Sequence, residues 1–289
     1  MKGRPMSSTD TAVTKHHPGK TTARRIRRAL QLMVTSVCAG LLLACASPGP
    51  LPPPTAAPAP KGEEYAHHTV ALLGASGMLG EYLLREALAR EYTVRVLART
   101  PAKLAEFAGR ITIIQGDARD PAAIAQLVQG SDVVISALGP VKSDGEAARF
   151  INTTATGNVL QAMQGKPISQ YMVVSGAAVV MPGDERDLLG WWIRTLAQVG
   201  LRDELEDKQA EYELLAASQV DWMLVRCPLI DPQPARWPAL ASTRTPPAFR
   251  VRAGEVAQFM LDQIDARQFV RAGPFVGSRQ TMPTQHAAE

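Results

Sequence analysis

The stretch that most constrains the fold is "TVALLGASGMLG", residues 69–80, in which a short apolar run leads into three glycines spaced three residues apart. A helical pattern follows, with apolar residues recurring every three to four positions up to residue 88. Gly74 permits a tight turn, Gly77 lets the pyrophosphate of a dinucleotide approach the helix N-terminus, and Gly80 lets helix and strand pack closely. The stretch therefore predicts the start of a dinucleotide-binding βαβ unit.

Short β-branched runs alternate with helical segments from residue 68 onward. The predicted strands cover residues 69–73, 93–98, 111–115, 132–138, 171–176, 221–226 and 274–276. Asp120-Pro121 has the composition of a helix start, and a long helix is expected to begin near Ser143 and to end at Gly165. The alternation predicts an α/β fold, Rossmann-like and doubly wound, with a mainly parallel sheet flanked by helices.

Composition narrows the classes of partner. The 289 residues are 46% hydrophobic and 20% charged, which is typical of a globular chain. Residues 1–28 hold eight of the 31 Lys and Arg but only one of the 27 Asp and Glu, so the remaining chain carries about −3. No basic stripe is present that would favour nucleic-acid binding.

The positions of the histidines and cysteines argue against several kinds of catalytic and structural site. The five histidines, at positions 16, 17, 67, 68 and 286, all lie before the first strand or in the tail, which excludes a His-dependent triad and disfavours a catalytic metal. Cys38 and Cys45 lie in an apolar leader and Cys227 stands alone. Neither a disulfide framework nor a zinc site is expected, and Cys227 is expected to be an inert buried thiol.

The leader has the order of an export signal. The basic run "RRIRR" at 24–28 precedes 18 uncharged residues, and Leu42-Leu43-Ala44-Cys45 resembles a bacterial lipobox, in which Cys45 would be lipidated. Two alternatives stay open: a plain membrane anchor or simple signal, and a misassigned start with a cytoplasmic product.

A proline-rich stretch follows the leader and predicts an extended spacer reaching about 50 to 60 Å, at roughly 3 Å per residue. The expected organisation is a signal over 1–45, a Pro/Ala-rich linker over 46–66, an NAD(P)-binding domain over 67–278 and a tail over 279–289. The expected location is the cell envelope, with a lipid anchor holding the domain at a membrane.

The end of the second strand indicates which cofactor is bound. Where an NAD-binding protein places Asp or Glu on the ribose hydroxyls, this chain has Arg99, 25 residues after Gly74, with Thr100 and Lys103 close by. An arginine there can bind a 2′-phosphate, so the sequence favours NADP, with NAD as the alternative. Asp117 is expected near the adenine edge.

Six segments carry a family resemblance across residues 68–277: "GASGMLG", "VRVLARTPAKL", "GDARD", "VVSGAA", "DKQAEYELLAASQVDWMLVRCPLI" and "RVRAGEVAQFML". In these the chain resembles the atypical short-chain dehydrogenases of the NAD(P)H-binding, NmrA-like group, which include flavin- and biliverdin-reductase-like proteins. The resemblance implies cofactor contacts from Gly74, Ser76, Gly77, Met78, Leu79, Arg99, Asp117, Ala137, Leu138 and Gly139. It further implies that Ser175 and Lys208, the candidate catalytic residues, face the nicotinamide.

The chain departs from the short-chain dehydrogenase pattern in which a Tyr precedes a Lys by four residues. None of the five tyrosines has a Lys at that spacing, and the residue four before Lys208 is Glu204. A Tyr-dependent alcohol dehydrogenase or sugar epimerase is therefore disfavoured. Flavins and quinones can take their protons from water, so hydride transfer to them stays open.

Each candidate residue has a structural alternative. Ser175 either contacts the nicotinamide or is a strand-end hydroxyl satisfied by the protein. Lys208 either holds the ribose or lies on a solvated helix face. Trp191-Trp192 either covers a flat substrate or packs within its own segment.

Two functions remain: an NADPH-dependent oxidoreductase acting on a small flat acceptor, either a flavin or a quinone, or a non-catalytic NADP-sensing or scaffold protein of the NmrA-like type.

Overall fold

The computed structural model describes residues 67–140, 145–146, 149–185 and 202–279. All of them lie in the compact unit that spans Pro50–Glu289. The predicted signal with Cys45, the linker over 46–66 and the Trp191-Trp192 pair lie outside the described residues. Within the described ranges, no helix combines the length and the apolarity needed to cross a membrane.

Eight of the ten strands that the described residues form lie in one sheet, in the order β3-β2-β1-β4-β5-β6-β10-β8. All neighbours in it are parallel except β10 and β8, and a separate parallel pair joins β7 to β9. The strands are β1 (Thr69–Leu73), β2 (Thr93–Ala98), β3 (Thr112–Gln115), β4 (Val133–Ser136), β5 (Gln170–Gly176), β6 (Trp222–Cys227), β7 (Leu229–Asp231), β8 (Leu240–Ser242), β9 (Arg250–Arg252) and β10 (Phe275–Gly277). The first six strands have the Rossmann order, as the sequence predicted.

Helices cover both faces of the sheet. They are α1 (Met78–Ala89), α2 (Pro121–Leu127), α3 (Ile151–Met163), α4 (Arg202–Ala217) and α5 (Ala253–Ala266), with a kinked 3-10 segment at Pro101–Phe107. Asp120 caps α2, since its side chain accepts a hydrogen bond from the Ala122 N–H and Pro121 occupies the first helical position. This start agrees with the sequence prediction.

Strand β1 shows how the sequence builds two core layers. Its side chains alternate, so Val70 and Leu72 pack on the side of α1 and α5, whereas Ala71 and Leu73 pack on the side of α2, α3 and α4. All four are buried because β1 lies in the middle of the sheet, between β2 and β4. A central parallel strand covered on both faces is expected to be apolar throughout, as this one is.

The observed elements differ from the sequence-based expectation in several places. The long helix begins at Ile151 rather than near Ser143, and β4 ends at Ser136 rather than at residue 138. The small sheet of β7 and β9 and the antiparallel edge strand β8 were not predicted. Each of those strands has three residues, too few to show a periodic pattern.

The first described residues lie at the edge of the sheet formed by the amino ends of the parallel strands. There the His68 Nε2 lies 2.8 Å from Asp265 Oδ1 of α5, and its ring meets Tyr92 edge to face, with centroids 5.3 Å apart. The Thr69 N–H donates to the Asp132 carboxylate at 2.7 Å. These contacts hold the start of β1 at the edge opposite the carboxyl ends of the parallel strands.

Candidate cofactor site

A glycine turn joins β1 to α1 at the carboxyl edge of the sheet. Gly74 has φ +81°, in the left-handed region, and a Cβ there would lie 2.5 Å from the Ala137 carbonyl oxygen. The Gly77 N–H donates to the Gly74 carbonyl at 2.9 Å and closes the turn. Only glycine fits at position 74, because both the backbone angle and the neighbouring strand end exclude a side chain.

The first turn of α1 presents its backbone to solvent. Gly77 is the N-cap residue, and no side chain caps the helix. Ser76, Gly77 and Met78 are exposed, whereas Leu79 is buried and anchors the turn in the core. A Cβ on Gly80 would lie 1.9 Å from the Gly74 carbonyl oxygen, so this glycine is what lets the helix pack on the turn. Open N–H groups at a helix start form a site for a phosphate group.

The loop after β4 lies against this turn. The Ala137 N–H donates to the Leu73 carbonyl oxygen at 3.0 Å, which continues the pairing of β4 with β1. Ala137 and Leu138 are half-buried and Gly139 is exposed with open space around its Cα. The structure therefore brings the predicted cofactor residues of the first and fourth strand ends together.

A second group of predicted residues lies at the ends of β2 and β3, and we call it the β2–β3 cluster: Arg99, Thr100, Lys103, Asp117 and Arg119. Arg99, Thr100 and Lys103 are exposed. The Asp117 carboxylate binds Arg119 through both oxygens, with Nε at 2.8 Å from Oδ1 and Nη2 at 2.6 Å from Oδ2. The Arg119 hydrogen bonds lower the pKa of Asp117 to about 2, and the charges of Arg119 and Arg99 act in the same direction. Arg119 was not among the predicted residues.

Ser175 lies near the carboxyl end of β5, beside Arg226 of β6 in the register. It is 4% exposed, and its Oγ has no hydrogen-bond partner among the described residues. We considered above that Ser175 is a strand-end hydroxyl satisfied by the protein. Among the described residues, no group makes that hydrogen bond. A buried hydroxyl without a partner is uncommon and calls for a specific reason, such as a ligand that completes it.

Lys208 of α4 is buried rather than lying on a solvated helix face. Its Nζ donates to Asn152 Oδ1 at 2.8 Å, to the Val174 carbonyl at 2.9 Å and to Glu211 Oε2 at 3.0 Å. An ammonium group has three N–H donors, so protein acceptors take all of them. A role of Lys208 toward the cofactor stays a prediction, while its contacts hold α3, α4 and the end of β5 together.

Lys208 belongs to what we call the buried network: Ser136, Asn152, Thr153, Thr156, Tyr171, Asp207, Lys208 and Glu211. Thr156 Oγ1 joins Glu211 to the Tyr171 hydroxyl, with both contacts at 2.9 Å. Asp207 accepts from the backbone N–H groups of Asn152 and Thr153 at 3.0 and 2.9 Å, and so caps the start of α3 from α4.

Burial is the main cause of the pKa shifts of Glu211 and Tyr171 in this network. Desolvation raises the pKa of Glu211, with the charge and hydrogen bond of Lys208 opposing that shift. Burial also raises the pKa of Tyr171 above its ordinary value. Asn152, Asp207 and Glu211 were not predicted from the sequence, because no local spacing joins residues about 55 positions apart.

The neighbouring residues of β6 are structural. Burial raises the pKa of the Cys227 thiol to about 12, which agrees with the prediction of an inert thiol. The Arg226 guanidinium forms an ion pair with Asp184 at 2.7 Å and lies 3.6 Å from the centroid of the Phe275 ring. Both partners of the ion pair are buried, so the loop after β5 is fixed to β6 and β10.

The residues present fit a dinucleotide. The glycine turn has an open backbone that can bind a pyrophosphate. The β2–β3 cluster has cationic side chains, of which Arg99 lies 25 residues after Gly74. The unpartnered hydroxyl of Ser175 lies on the same edge of the sheet, at the end of β5. A bound dinucleotide lies across this edge in folds of this type.

Solved structures share the fold. The anaerobillin reductase ChuY of Escherichia coli O157:H7 is 18% identical, with 74% of this chain and 99% of that chain covered and a TM-score of 0.62. A short-chain dehydrogenase/reductase of Veillonella parvula in complex with NADP is 18% identical, with 74% and 95% covered and a TM-score of 0.60. A Streptococcus pneumoniae protein described as a candidate NADH-flavin reductase is 17% identical, with 73% and 100% covered and a TM-score of 0.59.

The family follows from a match to a family model. Residues 74–267, about two thirds of the chain, match the model of a family described as NAD(P)H-binding. That range starts at the first glycine of the turn and extends just past the end of α5, so it contains both the β2–β3 cluster and the buried network. The chain thus belongs to the NAD(P)H-binding family.

Proposed function

We propose that the protein is an NADPH-dependent oxidoreductase that transfers hydride to a small flat acceptor, a flavin or a quinone. The buried hydroxyl of Ser175 carries the proposal, because it has no partner among the described residues and lies at the same sheet edge as the glycine turn. Leaving such a group unpaired costs about 1 to 3 kcal/mol, a cost that a bound ligand can offset.

The nicotinamide, when bound, supplies the hydride. The backbone at Ser76 and Gly77 binds the pyrophosphate, Arg99 binds the 2′-phosphate and Ser175 orients the ring or the acceptor. Lys208 does not act as a proton donor in this arrangement, because its three N–H groups already bind protein acceptors. An acceptor that takes its proton from water suits such a site.

The acceptor class has support from the comparisons as well. ChuY is named a reductase of an anaerobillin, and the Streptococcus pneumoniae protein is described as acting on flavin. Both names give a small organic molecule as the acceptor. At this level of identity the likeness shows the fold.

The test of the NADPH preference is Arg99→Ala. We expect NADPH to bind the unmodified protein more tightly than NADH, and the variant to lose about 1 to 3 kcal/mol of NADPH binding with little change for NADH. Titration calorimetry measures both. Arg110→Ala is the matched control, since Arg110 is an exposed arginine that precedes β3 and lies at the opposite edge of the sheet. Equal affinities of the unmodified protein for the two cofactors would contradict the preference.

The test of turnover is NADPH oxidation with a panel of flavins and quinones. We expect Ser175→Ala to lower kcat more than it changes the affinity for NADPH, because the hydroxyl acts where the ring and the acceptor meet. Tight NADPH binding without oxidation of any acceptor would support the alternative, a non-catalytic NADP-sensing protein. A robust rate with simple alcohols would overturn the acceptor class.

We further propose that the protein is exported and lipid-anchored at Cys45 in the cell envelope. The support is the sequence alone: a basic run, an uncharged stretch and a lipobox-like end. Labelled palmitate should be incorporated into the full chain and lost in Cys45→Ala, with Cys38→Ala as the control because it lies in the same leader. A full-length chain that stays unlabelled in the soluble fraction would favour an internal start.

A further inference from the structure

The loop that follows β5, residues 177–185, folds back onto the face of the sheet where the Ser175 side chain lies, and we call it the β5 loop. Side chains of a strand alternate between its two faces. Tyr171 and Val173 of β5 pack in the core layer on the side of α3 and α4, so Ser175 faces that side as well. Val179 of the loop is fully buried in the same layer. The β5 loop and the Ser175 hydroxyl therefore share one face of the sheet.

An arginine of the neighbouring strand lies on this face too. Trp222 and Leu224 of β6 pack in the same core layer, and Arg226 is the next residue of that alternation. Arg226 is also the register partner of Ser175, so the two side chains are neighbours across the strands. Because Arg226 is only 1% exposed, its charge needs partners within the protein.

The β5 loop supplies those partners. Arg226 Nη1 donates to both oxygens of the Asp184 carboxylate, at 2.7 and 2.8 Å, and to the Val179 carbonyl oxygen at 3.3 Å. Its Nε donates to the Gly273 carbonyl at 2.8 Å, which fixes the guanidinium itself. Asp184 Oδ2 in turn accepts the Met181 N–H at 3.0 Å. The ion pair thus binds the middle and the end of the loop to β6.

Other contacts of the β5 loop involve no buried charge. Gln209 of α4 binds the backbone N–H and carbonyl of Val180, at 3.0 and 3.2 Å. Glu185 forms an ion pair with Arg244 at 3.2 Å, and the side chains of both are more than half exposed. The loop therefore has a buried ion pair and an exposed ion pair at adjacent residues, and water screens only the exposed one strongly.

We infer that Arg226 and Asp184 are positioning residues, which fix the β5 loop over Ser175 and so hold its hydroxyl toward the nicotinamide end of the site. The inference rests on the proposed function, in which Ser175 orients the ring or the acceptor. Both residues act through Ser175 rather than on the ligand, since their charged groups are buried and bound to each other.

The first experiment compares Asp184→Asn with Glu185→Gln, the same loss of charge at the next residue. Hydrogen exchange measured by mass spectrometry without ligand shows how firmly residues 177–185 are held. We expect exchange there to be about tenfold faster in Asp184→Asn, because the amide lacks the charge and one of the oxygens that bind Arg226. Glu185→Gln should leave it within about twofold, and peptides over 69–89 should be unchanged in both variants.

The second experiment tests the link to Ser175 by turnover with the panel of flavins and quinones. Asp184→Asn should lower kcat about five- to tenfold, the size expected when one hydrogen bond is lost from the transition state, and keep NADPH affinity within about twofold. In the background of Ser175→Ala the same substitution should change kcat by less than about twofold, because the hydroxyl that it positions is gone. A role confined to the fold would give equal losses in both backgrounds.

Two outcomes overturn the inference while the proposed function stands. If exchange at 177–185 is the same in Asp184→Asn and the unmodified protein, the ion pair does not hold the loop. If exchange rises but the losses in kcat add, the loop acts apart from Ser175. Should Asp184→Asn fail to fold, Arg226→Gln/Asp184→Asn takes its place, because two amides leave no unpaired charge in the core.

A protein that binds NADPH but reduces no acceptor would overturn the proposed function alone. The fluorescence emission of bound NADPH then replaces kcat as the measurement. A change of emission in Asp184→Asn that is absent in the Ser175→Ala background would support the inference, and an unchanged emission would overturn it. A protein that binds no NADPH would overturn both.

Discussion

Charged side chains meet in two parts of the candidate cofactor site, at the surface in the β2–β3 cluster and in the core in the buried network. The side chains of Arg119 and Asp117 are 37% and 28% exposed, so water and salt screen their attraction. Those of Lys208 and Glu211 are 9% and 0% exposed, and the charges depend on each other and on hydrogen bonds from the protein.

Because of this difference in exposure, we expect substitutions in the β2–β3 cluster to affect cofactor specificity and those in the buried network to affect folding stability. A change in the β2–β3 cluster alters which charges face a ligand, with a small effect on the free energy of unfolding. A change in the buried network leaves a charge or a polar group without a partner in the core, so its main effect is on stability. Four predictions test this contrast, beginning with the largest effect.

Lys208→Met should lower the free energy of unfolding by about 3 to 5 kcal/mol, because it leaves the Glu211 carboxylate buried without its cation. Urea denaturation measures the loss. Lys103→Met, at an exposed position in the β2–β3 cluster, is the control and should change stability by less than about 0.5 kcal/mol. Equal stability of the two variants would remove the distinction between the two regions.

Adding Glu211→Met to Lys208→Met should recover about 1 to 3 kcal/mol, because the unpaired charge leaves with it. The single variant should also lose less at pH 5 than at pH 8. Burial raises the folded pKa of Glu211 above its ordinary value, so the folded state favours the protonated acid and the penalty shrinks as the pH falls. Strictly additive losses in the double variant would show that the pair is not coupled.

Ser175→Ala should raise the free energy of unfolding, by up to about 1 to 3 kcal/mol, since it removes a buried Oγ that makes no hydrogen bond among the described residues. Ser136→Ala is the matched control, because the Ser136 hydroxyl bonds to the Tyr171 side chain, and its loss should cost about 0.5 to 1.5 kcal/mol. Thermal denaturation without cofactor compares them. A larger loss at Ser175 than at Ser136 would assign Ser175 to the fold.

The smallest effect concerns Asp117 in acid. Its folded pKa of about 2 lies below the ordinary value of 3.8, so its ion pair stabilises the fold above about pH 4, and this contribution disappears as the pH falls toward 2. The melting temperature of Asp117→Asn should be slightly lower than that of the unmodified protein at pH 6 and equal to it near pH 2. A difference that persists near pH 2 would mean that the asparagine acts through something other than charge.

The parts of the site that depend on local sequence were predictable. The bounds of β1 and β2 were predicted residue for residue, and Gly74, Gly77 and Gly80 lie where the turn requires them. Each of these features depends on neighbours along the chain, because a turn, a strand and a helix start are local structures. Arg119 has a comparable local signal, since it stands two residues after Asp117 in "GDAR".

The buried network could not be predicted from the sequence. Lys208 stands in a run of charged residues, "RDELEDKQAE", which has the composition of a solvated helix. Its burial depends on Asn152 and on the end of β5, at separations of 56 and 34 residues. No spacing rule connects such distant positions, and only the packing of α3 and α4 on the sheet brings them together.

The described residues reach the sheet at His68, on the edge opposite the candidate cofactor site. Thr69 begins β1 at one edge of the sheet, and Gly74 follows β1 at the other. A domain attached to a sensor chip directly at His67 therefore has its candidate cofactor edge on the side away from the attachment. Gly277 ends β10, which runs parallel to β6, so an attachment after Ser278 joins the cofactor edge itself. Tags for binding measurements belong on the N-terminal side.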